Sequence, residues 1–155
     1  MLEVFLYIFL GFLWYQFIAI FGISIGLHRG LCHKQVELSK AYEVFALFLV
    51  TLTGARSPLG WIGAHKIHHA TADTADDPHS PDIKGFWKVN AAGHKDFRPR
   101  TNKWINILSA GEGYHDAHHN NPKQVRLNKY DLAGFILETI NKRKCFYGSV
   151  LLQKK

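Results

Sequence analysis

Val4 to Leu27 reads VFLYIFLGFLWYQFIAIFGISIGL, 24 residues without a charge and with one strongly polar side chain, Gln16. As a helix this stretch is about 36 Å long, enough to cross a hydrocarbon core of about 30 Å. A cleaved leader fits less well, because no basic segment precedes the apolar run, the run is too long, and no small-x-small cleavage site follows it. The segment 4–27 is therefore expected to be a transmembrane helix. The first basic residues after it are Arg29, Lys34 and Lys40. By the positive-inside rule the N-terminus is expected outside and the remainder on the cytoplasmic face. His28 then falls where the helix leaves the bilayer.

Outward from this segment the chain changes character. Val44 to Ala55 is apolar between Glu43 and Arg56 but too short to span. It is expected to form an interfacial or re-entrant helix that ends at Gly54 and before Pro58. Trp61, Trp87 and Trp104 have the residue type of interface anchors, with ordinary packing the alternative. From Asp73 to Lys103 the chain is polar, and loop with short helix is expected. Phe135 to Ile140 belongs to a helix, followed by a basic end, Lys142-Arg143-Lys144 and Lys154-Lys155. Strand-like alternation is nowhere sustained, so the expected fold class is all-α, an integral membrane protein with a cytoplasmic helical cap.

The 155 residues carry a net charge of +7, which suits one domain rather than two. The organisation expected is a single domain, 1–155, with the helix at 4–27, a histidine-rich region at 28–122, and a C-terminal helix and basic tail at 123–155. The basic residues lack an aromatic-interleaved recognition pattern, so membrane lipid is the expected anionic partner and nucleic acid is not. Two distant cysteines, Cys32 and Cys145, make neither a disulfide framework nor a zinc ribbon and fit a reducing compartment.

The ten histidines are not scattered. His28 and His33 bracket HRGLCH; His65, His68 and His69 form HKIHH; His115, His118 and His119 form HDAHH. Spacing i, i+3, i+4 puts three imidazoles on about 100° of one helix face, where they can converge on one metal or a pair. Chance would give roughly 0.04 such triplets in this composition. The five-residue spacing of the first cluster sets its rings well apart on a continuous α-helix, so a helix end and a turn at Gly30 are expected there. Imidazole suits Zn, Cu, Fe and Ni alike. Eight or nine clustered histidines exceed what a hydrolytic zinc site uses, and HExxH is absent. Of the Glu-x-x-His pairs that carboxylate-bridged iron sites require, only Glu112 with His115 is present. A dinuclear iron centre ligated almost wholly by histidine remains.

These stretches resemble the membrane fatty acid desaturase family of the acyl-CoA and cyanobacterial Δ9 type. The matching segments are GLHRGLCH (26–33), WIGAHKIHHATADTADDPH (61–79), VNAAGH (89–94) and GEGYHDAHHNNP (111–122). The resemblance implies two iron ions. It implies as their ligands His28, His33, His65, His68, His69, His94, His115, His118 and His119, with Asn90 reaching the metal through water. His79 falls in a motif the family does not use for ligation. Asp76, Asp77 and Glu112 are candidates to orient ligand imidazoles through their second ring nitrogen, a solvated acidic loop being the alternative for the two aspartates.

The reaction so implied is oxygen-dependent removal of two hydrogens from adjacent methylenes of a fatty-acyl chain carried on CoA, carrier protein or lipid. No iron–sulfur or dinucleotide motif is present, so electrons are expected from ferredoxin or cytochrome b5. Rival readings are a hydroxylase of the same superfamily and a non-catalytic metal-binding remnant. The chain departs from the family in one respect: 20 residues separate His69 from Asn90, where the family has two membrane spans. A span before His28 is also expected to be lacking, and a homo-oligomer is one way to make up the scaffold.

Overall fold

The computed structural model describes residues 1–54, 57–72, 74–78, 94–95, 98–99, 101, 106, 109 and 112–146; for 94–95, 98–99 and 141–146 it describes the backbone alone. The chain opens with α1, Leu2–Phe17, which continues without a break into a π-helix, Ile18–Cys32. Then come α2 (Lys40–Leu52), α3 (Pro58–Thr71), two-residue strands β1 (His94–Lys95) and β2 (Arg98–Pro99), α4 (His115–Asn120) and α5 (Leu132–Phe146). The strands pair antiparallel, His94 opposite Pro99. Among the described residues the architecture is otherwise helical, as expected.

Leu2–Cys32 is one helix long and apolar enough to cross a membrane. Its two halves differ. No residue of α1 is buried, whereas twelve of the fifteen π-helical residues are. The first half is exposed, although Phe17 at its end meets Phe45 of α2 edge-on at 6.3 Å, and the second half is the axis on which the rest packs.

Small residues make that packing close. A Cβ on Gly22 would lie 2.9 Å from the Cβ of Leu49; one on Gly26 would overlap Ala46, and one on Gly30 would overlap Leu38. α2 thus lies directly on the π-helix through Ala46, Leu49 and Val50. The Tyr42 hydroxyl adds a hydrogen bond to the Phe21 carbonyl at 2.9 Å. The opposite face of α2 exposes Val44, Phe48 and Leu52, apolar side chains spaced four apart that suit lipid better than water. Ser39 caps the start of α2, and Gly54, at φ 64°, follows its end in the left-handed conformation expected after a helix. Ala133 and Leu137 of α5 close the core against Ala19, Ile20, Ile25 and Val36.

The turn expected at Gly30 is not there. The helix runs on to Cys32, and Lys34 makes the reversal, at φ 52°. The Gln35 amide bonds back to the Arg29 carbonyl at 2.8 Å, the wide closing bond of a capped helix end. Gly30 serves close approach instead of conformational freedom.

Arg29 is also not the surface residue that a topology marker should be. It is 2% exposed and paired with Glu112 and Asp131, so of the three basic residues only Lys34 and Lys40 face outward.

Valine at Gly26 is expected to push α2 off the π-helix, an overpacking cost of about 1–3 kcal/mol. A Gly26→Val variant should show a lowered thermal midpoint by circular dichroism in detergent. Gly11→Val, at a position with open space around it, should not.

Candidate metal centre

Each histidine is delivered by a local feature of the sequence. Ser57 caps α3 by accepting the Gly60 amide, with Pro58 at the first helical position, and this helix carries His65, His68 and His69. α4 is a helix of six residues carrying His115, His118 and His119. His28 and His33 come from the end of the π-helix. On an α-helix a step of five residues leaves two side chains about 140° apart. In π winding the fifth residue is the hydrogen-bonded neighbour: the His33 amide donates to the His28 carbonyl at 2.9 Å. The two rings consequently lie 4.8 Å apart.

The ring nitrogens gather in two sets. His28, His33, His65, His69 and His118 form one, and His68, His115 and His119 the other. Within the larger set four Nε2 atoms make a closed ring: His33 to His65 at 3.0 Å, His65 to His69 at 3.1 Å, His69 to His118 at 3.0 Å, and His118 to His33 at 3.1 Å. His28 joins through His118 at 3.0 Å. In the smaller set the separations are 3.4, 3.0 and 3.1 Å.

Hydrogen bonding among the rings cannot account for this. The His118 Nε2 touches three other ring nitrogens, yet one such nitrogen has either a single N–H or a single lone pair. Two nitrogens bound at right angles to one ion at about 2.1 Å stand about 3.0 Å apart. The observed spacings therefore fit donors sharing a common ion.

Each helical triplet is divided between the sets. α3 gives His65 and His69 to the larger and His68 to the smaller; α4 gives His118 to the larger and His115 and His119 to the smaller. The backbone of His94 lies in β1, but its side chain, together with Asn90 and His79, lies outside the described residues.

With Nε2 turned inward, the other ring nitrogen needs a partner. Asp77 supplies it for His68, 2.8 Å from Nδ1, with both side chains buried. Glu112 Oε2 lies 2.6 Å from Nδ1 of His28, off the line of a straight hydrogen bond. A carboxylate there fixes the tautomer and ring orientation and makes the other nitrogen a better donor. Asp76, by contrast, is exposed. Trp61 stacks on His65 at 4.7 Å and 13° and meets His28 edge-on at 5.9 Å. It walls the larger set on this side. Its position one turn before His65 was the available signal. Trp87 and Trp104 lie outside the described residues.

Burial, then the proximity of His28 and His69, lowers the His33 pKa to about 3. Burial, with His28 next in effect, likewise depresses His65 and His118. Burial works to raise Glu112, but His28, Arg29 and the Ser24 hydroxyl outweigh it and hold its carboxyl below the usual range. His33, His65 and His118 thus favour the neutral form that binds metal.

No family model matches the chain. Curated relatives do. A 66-residue stretch is 41% identical to the sn-1 stearoyl-lipid 9-desaturase of Anabaena variabilis, covering 43% of this chain and 24% of that protein. Over 73 residues it is 37% identical to the acyl-CoA C20 Delta5-desaturase of Anemone leveillei, 47% of this chain and 23% of that one. The Delta-9 acyl-lipid desaturase 1 of Arabidopsis thaliana is 36% identical over 66 residues, 43% and 21%. Over a little under half its length the chain is similar to these fatty acid desaturases. The match takes up less than a quarter of the length of each of these three proteins.

Two outcomes follow from this arrangement of charge and burial. Below about pH 6.5 an unfolded chain protonates its histidines while His33, His65 and His118 in the fold resist. The Glu112 carboxylate, depressed in the fold, adds stability that is lost in the same direction as pH falls below its ordinary range. The thermal midpoint of metal-stripped protein should therefore fall steadily from pH 7 to pH 4.5. Asp77→Asn should weaken metal binding at the smaller set about 10–100-fold, measured by competition with a chelator.

Proposed function

We propose that this chain is an oxygen-dependent fatty-acyl desaturase built on two histidine-ligated irons. One observation carries the reading: eight ring nitrogens converge, through Nε2, into two sets at metal-ligand spacing. In this reading the larger set holds one ion with His28, His33, His65, His69 and His118. The smaller holds the second with His68, His115 and His119, completed by His94 and by Asn90 through water. Bound iron supplies oxygen activation and the oxidising power to take two hydrogens from adjacent methylenes.

The protein's own residues hold and orient. Glu112 and Asp77 fix the His28 and His68 imidazoles, and Trp61 keeps water from one side of the larger set. The acyl chain, on CoA, carrier protein or lipid, approaches from the bilayer, and electrons arrive from ferredoxin or cytochrome b5 at the basic surface. The chain forms a single domain, 1–155, with its N-terminus outside and the histidines on the cytoplasmic face. The exposed Lys34 and Lys40 support that orientation. A homo-oligomer supplies further walls for the acyl chain.

A second reading is favoured by the short match to the relatives: a metal-binding protein of this family that does not turn over substrate. Metal analysis and product analysis separate the readings. Protein purified in detergent from iron-supplied cells should carry about two irons per chain, and His118→Ala should lose the ion of the larger set. An expressing host should accumulate new double bonds in its acyl lipids. Hydroxylated chains instead would point to the hydroxylase, and two irons without a new product to the non-catalytic protein. No iron would overturn the metal assignment.

A further inference from the structure

The helix that qualifies as a membrane span carries a buried arginine just before its end, and the metal ligands do not account for it. Arg29 follows His28 directly but points away from the ring nitrogens. Its Nη2 donates to Asp131 at 2.8 Å, its Nε to the Val125 carbonyl at 3.2 Å, and its Nη1 to Glu112 at 3.1 Å. Nη1 also meets the Ser24 hydroxyl, which itself donates to Glu112 at 2.5 Å. Asp131 is fully buried. One of its carboxylate oxygens accepts the Leu127 amide and the other the Gly134 amide, both at 2.9 Å, so it caps α5. A side chain at Gly134 would collide with Asp131 and Val125, so that position is kept clear for the capped loop.

These contacts form one chain of charge: α5 through Asp131 to Arg29, then Glu112, then the Nδ1 of His28. Ser24, Arg29 and Asp131 touch no ring nitrogen of either set. Glu112 is the partly exposed end, with 24% of its side chain accessible. Among the described residues, the other side chains against its carboxylate are Ser24 and His28 itself. A planar fork can bridge two carboxylates at fixed angles, which an ammonium cannot.

We propose that Arg29, anchored by Asp131, is a positioning residue for the larger metal set. It pins the Glu112 carboxylate against His28, so that the docking of α5 sets the orientation of a ligand more than 100 residues earlier in sequence. The proposal rests on reading that set as a metal site.

Cobalt(II) is the probe, titrated into the metal-stripped full-length chain in detergent. Affinity is measured against a competing chelator, and the d–d absorption distinguishes the two environments. The wild type should bind two cobalt ions. Arg29→Gln should weaken the larger set about 10–100-fold and leave the smaller set unchanged, the converse of Asp77→Asn. Arg29→Lys should fall between Arg29→Gln and wild type.

Arg29→Gln leaves Asp131 buried without its cation and is at risk of not folding. The decisive variant is therefore the double substitution Arg29→Met with Asp131→Asn, which removes both charges and keeps a capping side chain. If Arg29 positions Glu112, this double variant folds and still binds weakly at the larger set. If the pair serves the fold alone, it loads both sets as the wild type does, and the proposal fails. A wild type that binds no cobalt would sink the metal reading itself, a distinguishable result.

Discussion

Imidazole is a poor partner for imidazole at close range when several rings point the same nitrogen inward. Neutral rings can pair donor to acceptor, but a nitrogen that meets three others has nothing left to satisfy them with, and protonated rings repel. Eight Nε2 atoms are held in that condition, at positions fixed by helices. The remaining structure is arranged around this constraint. The π-helix and its cap bring two of these histidines, α3 and α4 bring three each, and carboxylates stand against the outer nitrogens of His28 and His68. Such a constellation is high in energy without an ion and low with one, which is the ordinary relation between a metal site and its fold.

Part of this was legible from spacing. The two H-x-x-H-H triplets pointed to clustered imidazoles on helix faces, and α3 and α4 are the helices. The division of each triplet between two sets was not legible, because i, i+3 and i+4 share a face and only a partner helix decides which ring leans which way. The membrane-length helix, the short helix after it and the C-terminal helix could all be read from apolar runs. Their contacts could not. Arg29 looked like a topology signal and Trp61 like an interfacial aromatic. Both are buried or half-buried against the site by residues distant in sequence, Glu112 and Asp131 for one and His28 for the other.

The sharpest difference concerns backbone winding. Single-sequence reasoning assumes 3.6 residues per turn, and on that ruler HRGLCH could work only with a break. The chain keeps its helix and changes the ruler. π-helical turns are rare and are found mostly as short bulges at functional sites, and here the winding extends over fifteen residues. No local residue pattern separates Ile18–Cys32 from the α-helix before it. The close seam of Gly22, Gly26 and Gly30 with α2 and the loop after it is the tertiary contact that accompanies the wider turns.

This winding makes ligand spacing and backbone geometry interdependent. A pair spaced by four residues would share a face on an α-helix, and a pair spaced by five is brought together by the π form. Deleting one residue between His28 and His33 while the helix stays π, or rewinding the helix as α while the spacing stays five, would each turn one ring out of the set. Only both changes together restore the pair. The segment is accordingly one whose length can drift only along with its pitch, so insertions and deletions that surface loops absorb with ease are closed to these six residues.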